Sequence, residues 1–331
     1  MDPEQLARRR AARAQERHRA QVRRRFAAAG ALALVVIVAA VVVASSGGST
    51  PGDQSGGAAA TGDSQTAHHR SHHHAGARRG STAAALGPAT GKPGTASVPI
   101  LMYHVIAPPP PGAPFPGLYV QPAEFAAQMQ ALKSAGWRPV TLDQVRAYWQ
   151  HGSRLPPGKP IVLTFDNGYH SQYAEALPVL KRLGWVADEN IQLSGLPPSQ
   201  GGLGEGQVRG LLAAGWELDT QGFSHADLIT LDPSELHYQV ATARQTLRRR
   251  YGVPVDWFCY PSGHYNATVV AAVKAAGFVG STTVVPGWAG PSSDSFTLPR
   301  LRVLGGTSPS ALLEQIASSR AAGAPPSSYG G

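Results

Sequence analysis

Beyond residue 97, short apolar runs that stop at polar residues alternate with helical periods. This alternation constrains the fold more than any other feature of the 331-residue chain. Residues 98–104 (VPILMYH) and 161–165 (IVLTF) read as buried strands, and 257–261 (WFCYP), 279–285 and 298–303 as further ones. Between them, residues 122–136 place Phe125, Met129 and Leu132 on one helical face and stop at Gly136. Helices are also expected over 173–183, limited by Pro178, and over 206–214, 232–252 and 266–276. The clearest start is Asp232 as N-cap, with Pro233 at the first helical position and Glu235 at the third. Repeated β-then-α units predict an α/β fold, a parallel sheet or barrel with helices outside. Catalytic groups then belong at the C-terminal ends of the strands. The domain is expected over 98–319, followed by a flexible tail at 320–331.

The rest of the chain describes a topology. Residues 26–44 are uncharged and apolar, and nine Arg lie directly before them. A helix of this length nearly spans a hydrocarbon core of about 30 Å. The positive-inside rule then keeps residues 1–25 in the cytoplasm and places the chain beyond residue 46 outside. A retained transmembrane signal anchor over 26–45, a signal peptide cut near Val43-Ala44-Ser45 and a buried core helix are the three readings. The long basic region favours the anchor, and nothing nearby could cover a core helix. Residues 46–97 are Gly-, Ser-, Ala- and His-rich with one large apolar residue, Leu86, and read as a disordered linker. His68, His69, His72, His73 and His74 in it fit a solvated polar tract better than a metal site, having no carboxylate or Cys beside them. Of the net charge of +9, residues 1–25 hold +6, the linker +2 and the remainder +1. A basic nucleic-acid-binding domain is thereby excluded. Cys259 is the one cysteine, so there is no intrachain disulfide.

Four polar clusters fall at expected strand ends: Tyr103-His104, Asp166-Asn167-Gly168, residues 219–225, and residues 260–266. Each alone also fits a turn or a helix cap. Together they supply a carboxylate, two or three imidazoles and a Gly/Pro-shaped loop, a candidate hydrolytic site. Aromatic residues such as Tyr103, Trp216, Phe223, Trp257 and Trp288 fit either sugar stacking or the core.

In this order the clusters resemble the polysaccharide deacetylase family, the NodB-homology group of carbohydrate esterases. VPILMYHVI is similar to the opening strand of the poly-N-acetylglucosamine deacetylase-like subgroup. LTFDNG resembles the family's TFDDG, GWELDTQGFSHADL its GxEIGSHTxSHxxL, and WFCYPSGHYN the subgroup's FAYPxGxYN. LPRLRV matches the end of the domain. The resemblance implies a distorted (β/α) barrel and metal-assisted hydrolysis of an N-acetyl group, usually with zinc. It implies Asp166 as base, His104 as acid and the Ser262 N–H as oxyanion donor, with Tyr260, Pro261 and Tyr265 at the substrate. The metal positions fall on Asn167, Gln221 and His225.

Two of those three depart from the family. Asn167 replaces a carboxylate and Gln221 an imidazole, and neutral amides are weak zinc ligands. Where the family has an apolar ATFFV-type strand, this chain has Ala187-Asp188-Glu189-Asn190-Ile191. Those polar residues either face a cavity or reshape the strand, and Asp188, Glu189 or Asp219 are the candidates for replacing lost ligands. The reading is a membrane-anchored extracytoplasmic deacetylase-like protein acting on or binding glycans that contain N-acetylglucosamine. The alternative is an inactive pseudoenzyme that binds cell-wall or exopolysaccharide glycan.

Overall fold

The computed structural model describes residues 88–320, apart from Gly195 and residues 197–200. The basic N-terminus, the apolar run at 26–45, the His tract and residues 321–331 lie outside the described residues. Among the described residues, no helix is long and apolar enough to cross a membrane.

Nine strands and eight α-helices follow one another among the described residues from 98 onward. They are β1 (Val98–Tyr103), α1 (Pro122–Ser134), β2 (Trp137–Pro139), α2 (Leu142–His151), β3 (Lys159–Asn167), α3 (Leu177–Leu183), β4 (Asp188–Ile191), α4 (Glu205–Ala213) and β5 (Glu217–Thr220). Then come α5 (Pro233–His237), α6 (Ala243–Tyr251), β6 (Trp257–Cys259), α7 (Ala267–Ala275), β7 (Gly280–Thr282), β8 (Trp288–Ala289), β9 (Leu301–Arg302) and α8 (Pro309–Ser318). The strand order β7-β6-β5-β4-β3-β1 is parallel throughout, and β9 lies parallel to β1. Of these nine strands only β8 is antiparallel, pairing the start of β1. The sheet curls until Leu298, just before β9, forms a parallel bridge to Thr282 of β7. There Leu298 N–H donates to Ser281 O at 3.0 Å and Thr283 N–H to Leu298 O at 2.9 Å. The result is the distorted α/β barrel expected.

Alternation along the strands divides the core in two. Outward-facing Leu101, Tyr103, Leu163 and Phe165 pack with Phe125 and Met129 of α1, Leu180 of α3 and Leu312 and Ile316 of α8. Inward-facing Val98, Ile100, Val162 and Leu298 meet Leu142 and Val145 of α2. Helix α2 therefore plugs the barrel at the N-terminal ends of its strands. It is well bounded: Thr141 caps Gln144 N–H, Gln144 returns the bond to Thr141 N–H, and Gly152 ends it at φ 64°.

Most expected elements are present, with local differences. The helix expected over 173–183 starts with a π-turn at Gln172–Ala176, and the one over 232–252 carries a π-segment at Tyr238–Thr242. Asp232 accepts from Ser234 and Glu235 N–H, as its N-cap role requires. Residues 187–191 are not reshaped: Asp188–Ile191 form a regular buried strand, β4. Residues 88–97, assigned to the linker on composition, form a strap along α2. Thr90 N–H donates to Gly152 O, Gly94 N–H to Tyr148 O, and Trp149 Nε1–H to Ala96 O. The ring of Tyr148 occupies the space a side chain at Gly94 would need, so composition that looked tether-like is partly a packing requirement.

Candidate functional site

The C-terminal ends of β1, β3, β4, β5, β6, β7 and β9 meet around a cavity of about 250 Å³. His104, Asp166, Asn167, Gln221, His225, Tyr260 and Ser262 all line it. The structure thus brings together seven of the nine site residues implied by the resemblance. Pro261 is buried and Tyr265 stacks on Tyr260 with ring centroids 4.8 Å apart, and neither lines the cavity. Asn167, His225 and Ser262 have φ of 79°, 53° and 55°, the only left-handed non-glycine residues among those described. Each such residue stores on the order of 1–2 kcal/mol of strain, and strain of this kind collects at sites.

Asp166 is 1% exposed and fully engaged. Arg300 forms a bidentate ion pair with it, Nη1 to Oδ1 at 2.8 Å and Nη2 to Oδ2 at 2.9 Å. Asn190 Nδ2–H donates to Oδ1 at 2.9 Å. Burial alone would raise the pKa of Asp166. The charge and hydrogen bonds of Arg300, with help from His104 and Asn190, outweigh burial and bring it down to about 2. His104 Nε2 lies 4.0 Å from Asp166 Oδ2. Burial, then the positive charges of Arg302 and Arg300, lower His104 to about 4 against the pull of Asp166. Gln172 in the π-turn ties the two strand ends together, its Nε2–H donating to His104 O at 2.9 Å and Asp166 O at 2.8 Å. Arg300 and Gln172 were not foreseen as site residues. The signal for Arg300 was present in LPRLRV, where Arg300 and Arg302 alternate with buried Leu301 and Val303 and so share the inner face.

At the positions corresponding to the family metal, Asn167 Nδ2–H donates to Gln192 Oε1 at 2.9 Å. Gln221 is 3% exposed and its Oε1 has no hydrogen-bond partner. Burial pushes His225 below the usual histidine range, so its imidazole is neutral at pH 7. This donor set, two neutral amides and one imidazole, does not fit zinc: among the described residues His225 belongs to no group of three His, Cys, Asp or Glu close enough to share an ion, and Asp166 is held by Arg300. The residues that could have replaced the lost ligands do not do so. Asp188 and Asp219 come together with Glu217, but this group lies nearer the strand starts and does not line the cavity. Burial, then repulsion between neighbouring carboxylates, raises the pKa of all three. Glu189 pairs with Phe165 and Leu218 and points to the outer face, with both carboxyl oxygens buried.

The turn after β6 sets Ser262 against the cavity. Gly263 N–H donates to Tyr260 O and His264 N–H to Pro261 O, which holds the turn rigid. Tyr260 O–H donates to Phe296 O at 2.9 Å and is anchored from behind.

A curled parallel barrel with Asp, His and a tight Pro-Ser-Gly turn at one mouth is the arrangement that the resemblance to polysaccharide deacetylases implies. Residues 153–281 match the family model for polysaccharide deacetylase. The Bacillus subtilis polysaccharide deacetylase-family protein YxkH is 29% identical over 223 residues, covering 67% of this chain and 76% of that protein. The poly-beta-1,6-N-acetyl-D-glucosamine N-deacetylase of Escherichia coli K12 is 37% identical over 68 residues, 20% of this chain and 10% of that protein. Among solved structures, the Streptococcus pyogenes deacetylase PplD in complex with acetate superposes with a TM-score of 0.61 at 27% identity. That match covers 68% of this chain and 99% of PplD.

Proposed function

We propose that this domain binds N-acetylated glycan at the cavity without hydrolysing it by the family's metal-assisted route. The observation that carries the reading is the donor set Asn167, Gln221 and His225. It cannot neutralise and hold a zinc ion, while the barrel and the cavity around it are intact. Asp166 remains ionised, yet its charge is taken up by Arg300, and His104, lowered to about 4, is at pH 7 a neutral imidazole rather than the imidazolium that would protonate a leaving amine. What the cavity still offers is recognition: buried amides, imidazoles and the Tyr260 ring among apolar walls. Likeness to a poly-N-acetylglucosamine deacetylase supports a polymer of N-acetylglucosamine as ligand. The basic segment and apolar run before residue 46 support an extracytoplasmic domain held at the cell membrane by a single-pass anchor.

The test pairs binding with turnover. Titrating oligomers of N-acetylglucosamine into the protein should give saturable binding and no acetate. Acetate release that Asp166→Ala abolishes would overturn the reading in favour of an active deacetylase. The double variant Asn167→Asp with Gln221→His should gain one zinc per chain by elemental analysis, and His225→Ala should remove it again.

A further inference from the structure

Toward the strand starts, Asp188 of β4 and Glu217 and Asp219 of β5 turn their carboxyl groups toward one another. One oxygen from each lies within 4.8 Å of the others. The ladder arranges this: Asp188 is paired with Glu217, and Asp219 comes two residues later on the same inner face. Neighbouring elements hold each group by one oxygen. Leu142 N–H donates to Asp188 Oδ1 at 2.9 Å, Asp143 N–H to Glu217 Oε2 at 3.1 Å, and Trp257 N–H to Asp219 Oδ1 at 2.9 Å.

The other three oxygens are the second observation. Asp188 Oδ2, Glu217 Oε1 and Asp219 Oδ2 are all shielded from water and accept from no N–H donor, and Asp188 and Glu217 lie close enough to share a proton. Asp188 and Asp219 are both 0% exposed, so bulk water does not reach them. The ion pairs among the described residues lie elsewhere. Three carboxylates this close in a dry interior require neutralisation, by protons or by a cation. Hard divalent cations bind oxygen at roughly 2.0–2.6 Å, so oxygens on opposite sides of one ion stand about 4–5 Å apart. Oxygens that all lie within 4.8 Å of one another are close enough to belong to one such shell.

We propose that Asp188, Glu217 and Asp219 form a site for one hard divalent cation of the Ca²⁺, Mg²⁺ or Mn²⁺ class, separate from the cavity. Bound there, the ion joins β4 to β5 and, through the amides that orient its ligands, to α2 and β6. Glu217 is the least buried of the three and gives the ion its way in. The role is structural, because the site does not open into the cavity.

The full chain, equilibrated in turn with Ca²⁺, Mg²⁺ and Mn²⁺ and then freed of excess, should retain about one equivalent of one of them. Chelation with EDTA should lower the melting temperature, and returning the same metal should restore it. Asp188→Asn with Asp219→Asn should retain no cation and melt at a temperature indifferent to EDTA, whereas His225→Ala should retain it. If the double variant does not fold, Glu217→Gln should weaken the metal by about tenfold or more. No retained cation together with EDTA-indifferent melting of the wild type would overturn the proposal and leave shared protons as the neutralising agent. Loss of the cation in His225→Ala, or unchanged affinity in Glu217→Gln, would overturn it equally.

Discussion

Asp166 and Arg300 satisfy each other so completely that neither stands alone. Both are 1% exposed, and the pair is bidentate. Arg300→Met should therefore destabilise the domain by about 3–5 kcal/mol in urea unfolding, because it leaves a buried carboxylate unpaired. Adding Asp166→Asn should recover much of that loss. His104 gives a pH signature. Its pKa is lowered in the fold from about 6.5 to about 4, so the neutral form is favoured there. The resulting stabilisation is present above about pH 6.5 and is lost as pH falls toward 4, on the order of 3 kcal/mol in all. Stability measured from pH 7 to 4 should fall less steeply in His104→Gln. Asp166 and His104 were legible in the sequence because each ends an apolar run. Arg300 was less so, because its partner lies 134 residues away.

Among the elements, α2 shows what periodicity leaves out. Residues 142–151 mix charged, aromatic and apolar residues, and no helix was expected there; only the closed barrel end gives Leu142 and Val145 a surface to cover. The same holds for β4, whose polar residues conceal a strand until its neighbours give Asp188 and Asn190 partners. The strands and helices with unbroken apolar faces, such as β1, β3 and α1, were legible from the chain itself. Gly152 joins α2 to the strap. Its φ of 64° and the close approach of the Lys92 carbonyl both exclude a side chain. Gly152→Ala should destabilise by at least about 1 kcal/mol. It should also speed amide exchange at Thr90 and Gly91, whose bonds run to the end of this helix.

For the molecule as a whole, the order of β-then-α units was enough to anticipate a parallel sheet or barrel with its polar clusters at the strand ends, and the resemblance narrowed this to a barrel. It did not reveal the closure between β7 and the segment before β9: both stretches read as strands, but nothing in the chain says that Thr282 and Leu298 pair with each other. The acidic group near the strand starts was equally hidden: Asp188 and Glu217 are far apart in the chain and meet only through the ladder. The strap adds a mechanical consequence. Residues 88–97 lie against the plugged end of the barrel, while the cavity opens at the other. A pull applied through the N-terminal side would load the bonds from Thr90, Gly91 and Gly94 to α2 one after another before it reached β1. The strap would yield first, as a fuse does, and the Asp166 pocket would keep its shape under tension.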